Sequence, residues 1–204
     1  MFESSDALLV VDVFNDFDHE DGEQLLESFR ERAGTMSQVL SEARRAKVPI
    51  VYVNDERGRW RSDAPGLVRA ALSGKGGTLI QELAPAENDA VILKQRYSAF
   101  DHTALDLLLE SLRVERIVLI GAAVEGCVVQ TALDARELGL KVTILSDACA
   151  TTDRDMEEVA LRYASSVGGA RVERFVHPAR FVVDAPGDHP SPTSQTGGTS
   201  RWPN

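Results

Sequence analysis

Residues 116–139 read RIVLIGAAVEGCVVQTALDARELG. Arg116–Ala123 has the unbroken Val/Ile/Leu character of a strand buried on both faces, and Gly121-Ala122-Ala123 marks where bulk gives way to close backbone approach. Val128, Val129, Ala132, Leu133, Ala135 and Leu138 then recur at helical spacing until Gly139 ends the helix. Cys127 stands at the first turn of that helix. There the unpaired N–H groups and the positive end of the dipole favour an anion, so the thiol is expected to shift toward thiolate and to serve as a nucleophile. The competing reading is a small buried hydrophobe.

Working outward, ALLVVDV (7–13) reads as a buried strand interrupted by Asp12, a carboxylate that must be paired, hydrogen-bonded or at the strand's open end. From Glu23 to Lys47, Leu25, Leu26, Phe29, Met36, Val39, Leu40 and Ala43 recur at helical spacing, which predicts a crossover helix bent near Gly34. PIVYVN (49–54) is a second strand. Asp55 to Gly77 follows as a long connection containing Arg57-Gly58-Arg59-Trp60-Arg61, with a short helix at Gly66–Leu72. Loops of that length after a strand are usually functional or mobile, and a solvated surface loop is the competing reading for its arginines.

DAVILK (89–94) is a third strand ending in Lys94. The chain has lysine only at 47, 75, 94 and 141 and otherwise supplies positive charge as arginine, so a lysine in a buried strand stands out. A helix at Thr103–Leu112 leads into the 116–123 strand. KVTILS (141–146) is a fifth strand, Thr152 and Asp153 cap a helix from Arg154 to about Ser166, and Arg171–Val176 is a sixth strand. Strands alternating with helices imply an α/β three-layer sandwich, a six-stranded parallel sheet flanked by helices on both faces. One domain is expected over residues 1–183. Residues 184–204, rich in Pro, Gly, Ser and Thr, are expected to be a tail that is disordered or lies against another subunit.

The 204 residues carry a formal charge of −10. That balance argues against nucleic acid or an anionic membrane as partner. No apolar run reaches membrane-spanning length and no leader pattern opens the chain, so a cytoplasmic protein acting on a small molecule is expected. The two cysteines, Cys127 and Cys149, are expected to be reduced, with Cys149 a buried small residue. There is no P-loop and no GxGxxG, which removes the main support for nucleotide binding.

In an open parallel sheet, ligands gather outside the carboxyl ends of the strands where strand order reverses. Asp12, Lys94 and Cys127 each fall at or just beyond such an end. A Cys nucleophile needs a group to take its proton, a buried carboxylate can do so, and a neighbouring ammonium steadies both charges. These residues, in LLVVDVFNDF, VILKQRYSAF, GAAVEGCVVQTALDARELG and VTILSDACAT, resemble the isochorismatase-like cysteine hydrolases, which include nicotinamidase and N-carbamoylsarcosine amidohydrolase. The resemblance covers about residues 5–177.

It implies a catalytic Asp12, Lys94 and Cys127, a cis peptide at Ala122–Ala123, and an oxyanion hole from the N–H groups of Ala123 and Cys127. It implies no cofactor, and assembly as a dimer or tetramer. The implied reaction is hydrolysis of an amide, carbamoyl or ureido C–N bond through a Cys127 thioester, with Asp12 exchanging protons and Lys94 as its electrostatic partner. Two alternatives remain: a vinyl-ether hydrolase that uses Asp12 as acid without the thiol, and a non-catalytic binding protein on the same fold.

Two departures stand out. Phe14 occupies a position where relatives commonly carry Gln. Nicotinamidases carry Asp-x-His and a further His after the second strand to hold a metal, whereas this chain has Asn54-Asp55-Glu56 and no His until His102, so no metal is expected. Phe17, Trp60, Tyr97 and Phe100 flank the strand ends as candidates for an apolar pocket wall, with core packing the competing reading. His19, His102, His177 and His189 read as surface or capping residues.

Overall fold

A computed structural model describes residues 2–56, 58, 60 and 63–176. The expected tail at 184–204, the boundary at 183, His177, His189, Arg57, Arg59 and Arg61 lie outside the described residues. Six strands, β1 (Asp6–Val11), β2 (Ile50–Asp55), β3 (Ala90–Lys94), β4 (Arg116–Gly121), β5 (Lys141–Cys149) and β6 (Arg171–Glu173), form one parallel sheet in the order β3-β2-β1-β4-β5-β6. The order reverses between β1 and β4, whose carboxyl ends therefore open a crevice for a ligand.

Alternation along β1 divides the core. Leu8 and Val10 face the side covered by α1 (Gly22–Ala46), α2 (Ala64–Ser73) and α3 (Gly77–Glu82). Ala7, Leu9 and Val11 face the side covered by α4 (Leu105–Ser111), α5 (Val129–Glu137) and α6 (Arg154–Ser166). Every apolar position read as the inner face of the first helix is buried. No described helix is long and apolar enough to cross a membrane.

α1 runs through Gly34 as one uninterrupted helix, where the exposed glycine costs helix propensity without breaking the hydrogen-bond ladder. Two expectations need correction. The segment before β3 holds two helices rather than one. α2 starts where the Asp63 carboxylate accepts from the Gly66 N–H at 2.8 Å, and the short α3 carries too few apolar repeats to be seen in sequence. β5 continues to Cys149 by shifting register between Leu119 and Gly121, so Cys149 pairs with Gly121, whereas β6 stops at Glu173.

Candidate active site at the strand ends

Asp12 follows the last residue of β1 in a left-handed conformation, with φ of 49°, which an aspartate tolerates better than a branched residue. Its N–H donates to the Val53 carbonyl of β2 at 2.9 Å, and its Oδ1 accepts from the Asp55 N–H at 2.5 Å. Asn54 clamps the next turn by accepting from the Phe14 N–H at 2.8 Å while its Nδ2 donates to the Phe14 carbonyl at 3.3 Å. The Phe14 ring is buried in the core and stacks on Tyr52 with centroids 5.3 Å apart.

Lys94 ends β3 and is 1% exposed. Its Nζ stands 2.7 Å from Asp12 Oδ2, donates to Cys127 Sγ at 3.3 Å and donates to the Arg96 carbonyl at 2.9 Å. Two of the ammonium's donors thus meet acceptors, and the third contact is an ion pair with the Asp12 carboxylate. The buried Asp12 Oδ2 has the ammonium beside it as a charge but no hydrogen-bond donor in line.

Cys127 lies in a π-helical turn, Val124–Val128, placed between β4 and α5. Close approach makes this turn possible: Gly121 has φ of +126°, and a Cβ there would lie 1.9 Å from the Val11 carbonyl oxygen. The Ala122–Ala123 peptide is cis, as the resemblance implied. Ala122 N–H donates to Val11 O at 2.8 Å and Val124 N–H to Ala150 O at 2.9 Å, while the Ala123 N–H donates to no described acceptor. Glu125 binds the turn to the end of β5 by accepting from the Thr151 hydroxyl at 2.7 Å, the Thr152 N–H at 2.8 Å and the Thr152 hydroxyl at 2.5 Å. Sequence reading passed over Glu125; the signal was a carboxylate two residues before the thiol, opposite a Thr-Thr pair after a strand.

The electrostatics correct one expectation. Cys127 is not shifted toward thiolate: burial pushes its pKa well above the ordinary thiol range, and the Asp12 charge adds to that shift against the opposing pull of Lys94. Dehydration outweighs a helix end whose first turn is π-helical and half-buried. Burial also raises the Asp12 pKa, against the lowering effect of Lys94. For Lys94 burial acts downward, but the charges of Asp12 and Cys127 prevail and its pKa is raised. The resting site therefore holds Cys127 as a thiol and Lys94 as an ammonium.

A model of the isochorismatase domain matches residues 6–174. The chain belongs to the isochorismatase family. An uncharacterised isochorismatase family protein of Bacillus subtilis is 32% identical over 167 residues, 82% of this chain and 92% of that protein. Among solved structures, a nicotinamidase from Staphylococcus aureus is 25% identical with a TM-score of 0.69, covering 84% of this chain and all of that one. N-carbamoylsarcosine amidase from Thermoplasma acidophilum is 30% identical with a TM-score of 0.64, covering 83% and 96%. The chain is thus an isochorismatase-family hydrolase with amidases among its relatives.

In this family member the four candidate aromatics have different surroundings. Phe17 has no exposed surface and packs edge-on against Phe29 at 5.3 Å, which makes it a core residue instead of a pocket wall; its small polar neighbours had disguised a turn that points inward. Phe100 is half-buried against the core of the α4–α6 side. Tyr97 is 70% exposed, and its ring passes close to Gly126, beside Cys127. Tyr97 also borders a hollow of ≈480 Å³ with Asp55, Gln95, Arg96 and Gln130. Trp60 is 76% exposed.

His19 and His102 are exposed, the latter beside Asp101 at 3.3 Å. After β2, where the resemblance implies a metal site in nicotinamidases, Glu56 is buried and accepts from Gln95 Nε2 at 2.6 Å, and no group of three potential ligands occurs among the described residues. A lone carboxylate pair with an amide already on one member does not fit an imidazole-bound transition metal.

Proposed function

We propose that this protein hydrolyses the C–N bond of a small amide, carbamoyl or ureido compound through a thioester on Cys127. The observation that carries the reading is Lys94 Nζ between Asp12 Oδ2 at 2.7 Å and Cys127 Sγ at 3.3 Å, at the carboxyl ends of strands on both sides of the switch point.

The thiol loses its proton as it attacks, since a resting thiolate is disfavoured by burial. Asp12 is suited to receive that proton: its pKa is raised, and Oδ2 is a buried acceptor with no donor in line. Lys94 stays protonated and stabilises the negative charge as it moves from carboxylate to sulfur and on to the substrate. The carbonyl oxygen becomes an oxyanion held by the N–H groups of Ala123 and Cys127, a role supported by the lack of an acceptor for the former among the described residues. Collapse of the tetrahedral intermediate breaks the C–N bond, and Asp12 returns its proton to the departing nitrogen. Water, deprotonated by the same carboxylate, then attacks the thioester and frees the acid and the thiol.

The test is a panel of small amides, N-carbamoyl compounds and ureido acids, assayed for ammonia or amine release with wild type and Cys127→Ala. Hydrolysis by wild type, abolished in the variant, with a mass increment on the Cys127 peptide after quenching, is expected. Full activity of Cys127→Ala on a vinyl ether, with no C–N hydrolysis by wild type, would overturn the thioester in favour of acid catalysis by Asp12.

A further inference from the structure

α6 buries Ala164 against the sheet, but a row of large apolar side chains on its outer side is left uncovered. Met156, Val159, Tyr163 and Val167 are 48%, 48%, 50% and 68% exposed. Successive steps of three, four and four residues place them on one stripe of the helix. The charges of α6 divide into two sets. Arg154 and Glu157 are engaged with Glu31 and Arg32 of α1 and fix the helix to its own chain. Asp155, Glu158 and Arg162, all exposed and on one flank of the stripe, form no ion pair with any described residue, and Glu158 lies one turn before Arg162 on the same helix.

Position relative to Val159 gives the pattern its meaning. Met156 lies three residues before Val159 and Tyr163 four after; Asp155 lies four before and Arg162 three after. We propose that this face is a two-fold interface with a second copy of this chain, the two α6 helices antiparallel and crossing at Val159. In such an isologous contact each pair is made twice. Met156 of each copy packs on Tyr163 of the other, a sulfur–aromatic contact, and Asp155 of each faces Arg162 of the other. Parallel two-fold pairing would put the two charged flanks on opposite sides of the seam and leave Asp155 and Arg162 without a facing partner, so the charges favour the antiparallel arrangement. Four side chains make the apolar centre of a contact at the small end of stable interfaces, and dissociation in roughly the micromolar range follows.

Sedimentation velocity on the full chain from about 1 to 100 µM tests this. Wild type should self-associate, and Val159→Asp or Tyr163→Glu should weaken association at least about tenfold. Asp155→Arg and Arg162→Asp should each weaken it, and the two together should restore it. A chain monomeric throughout would overturn the proposal and leave the stripe to another segment or partner. So would an assembly indifferent to Val159→Asp, or a double charge swap that fails to restore it. If Val159→Asp does not melt like wild type, Val159→Cys takes its place: oxidation should give a dimer linked through position 159. Failure to link, or equal linking of the exposed control Leu107→Cys, overturns the interface.

Discussion

Lys94 Nζ donates to Cys127 Sγ at 3.3 Å, yet the sulfur is held as a thiol. The ammonium is the favourable influence on the thiolate; burial and the Asp12 charge oppose it. Alkylation of Cys127 by iodoacetamide in a Cys149→Ser background should therefore rise only above the ordinary thiol range. Asp12→Asn removes an upward cause and should move that titration to lower pH. Lys94→Ala removes the downward cause and should move it higher. Mass-spectrometric rates of Cys127 labelling across pH measure all three, and a wild-type titration below the ordinary range would contradict the geometry.

Removing Lys94 also strands a buried carboxylate. Lys94→Met should cost about 3–5 kcal/mol in urea unfolding at neutral pH, and Asp12→Asn with Lys94→Met should recover much of it. The pH dependence has a definite sign. Asp12 holds its proton more tightly folded than unfolded, so its contribution is fully present below the unfolded value of 3.8 and is lost as pH rises through the raised folded value. The deficit of Lys94→Met should accordingly shrink as the pH falls, where a neutral carboxyl needs no counter-ion.

Arg32 of α1 is nearly buried, and its guanidinium holds Glu157 of α6 with two contacts, at 2.6 and 2.8 Å. It also donates to the carbonyls of Ser146, at 3.1 Å, and of Cys149, so it secures the extended end of β5 behind the Cys127 turn. Arg32→Met should lower stability by about 3 kcal/mol, since it leaves a carboxylate and two carbonyls without their donor. Arg32→Lys should recover little of that, because an ammonium cannot span the fork. Thermal and urea unfolding report both.

Glu125 accepts three hydrogen bonds from Thr151 and Thr152 and holds the turn that carries the thiol. In Glu125→Gln the amide NH2 meets donors where an acceptor is required. On the substrate found in the amide panel, kcat should fall about ten- to a hundredfold with KM little changed, and Cys127 labelling should shift in pH. A large rise in KM alone would place Glu125 in substrate binding instead.

Gly121→Ala should fail to give folded protein. Its φ of +126° and the 1.9 Å approach of a Cβ to the Val11 carbonyl leave no room for a methyl group, and the backbone there is that of the two central strands. Circular dichroism and solubility of the variant check this.

Much of this protein was legible from local pattern. β1, β2 and β4 announced themselves as runs of Val, Ile and Leu because strands covered on both faces need no polar alternation. The inner face of α1 followed from its 3.6-residue spacing. Asp12, Lys94 and Cys127 stood out because charge and thiol at the ends of apolar strands are conspicuous by type alone, and the fold brings all three together. α3 escaped because six residues carry too little period, and Phe17 was misplaced because a turn's direction is set by what it packs on. The exposed stripe of α6 escaped too, since periodicity shows that a helix has an apolar face but not which residues its own chain leaves uncovered.

The sequence by itself determined the order of strands and helices, and the placement of Asp12, Lys94 and Cys127 at strand ends, because these follow from residue type and spacing. Only the tertiary structure decided their protonation. The position of Cys127 in the chain argued for a thiolate, whereas its dehydration and the nearness of Asp12 hold it as a thiol. Charge states depend on water excluded and on distances between segments far apart in sequence, quantities that exist only once the chain is folded.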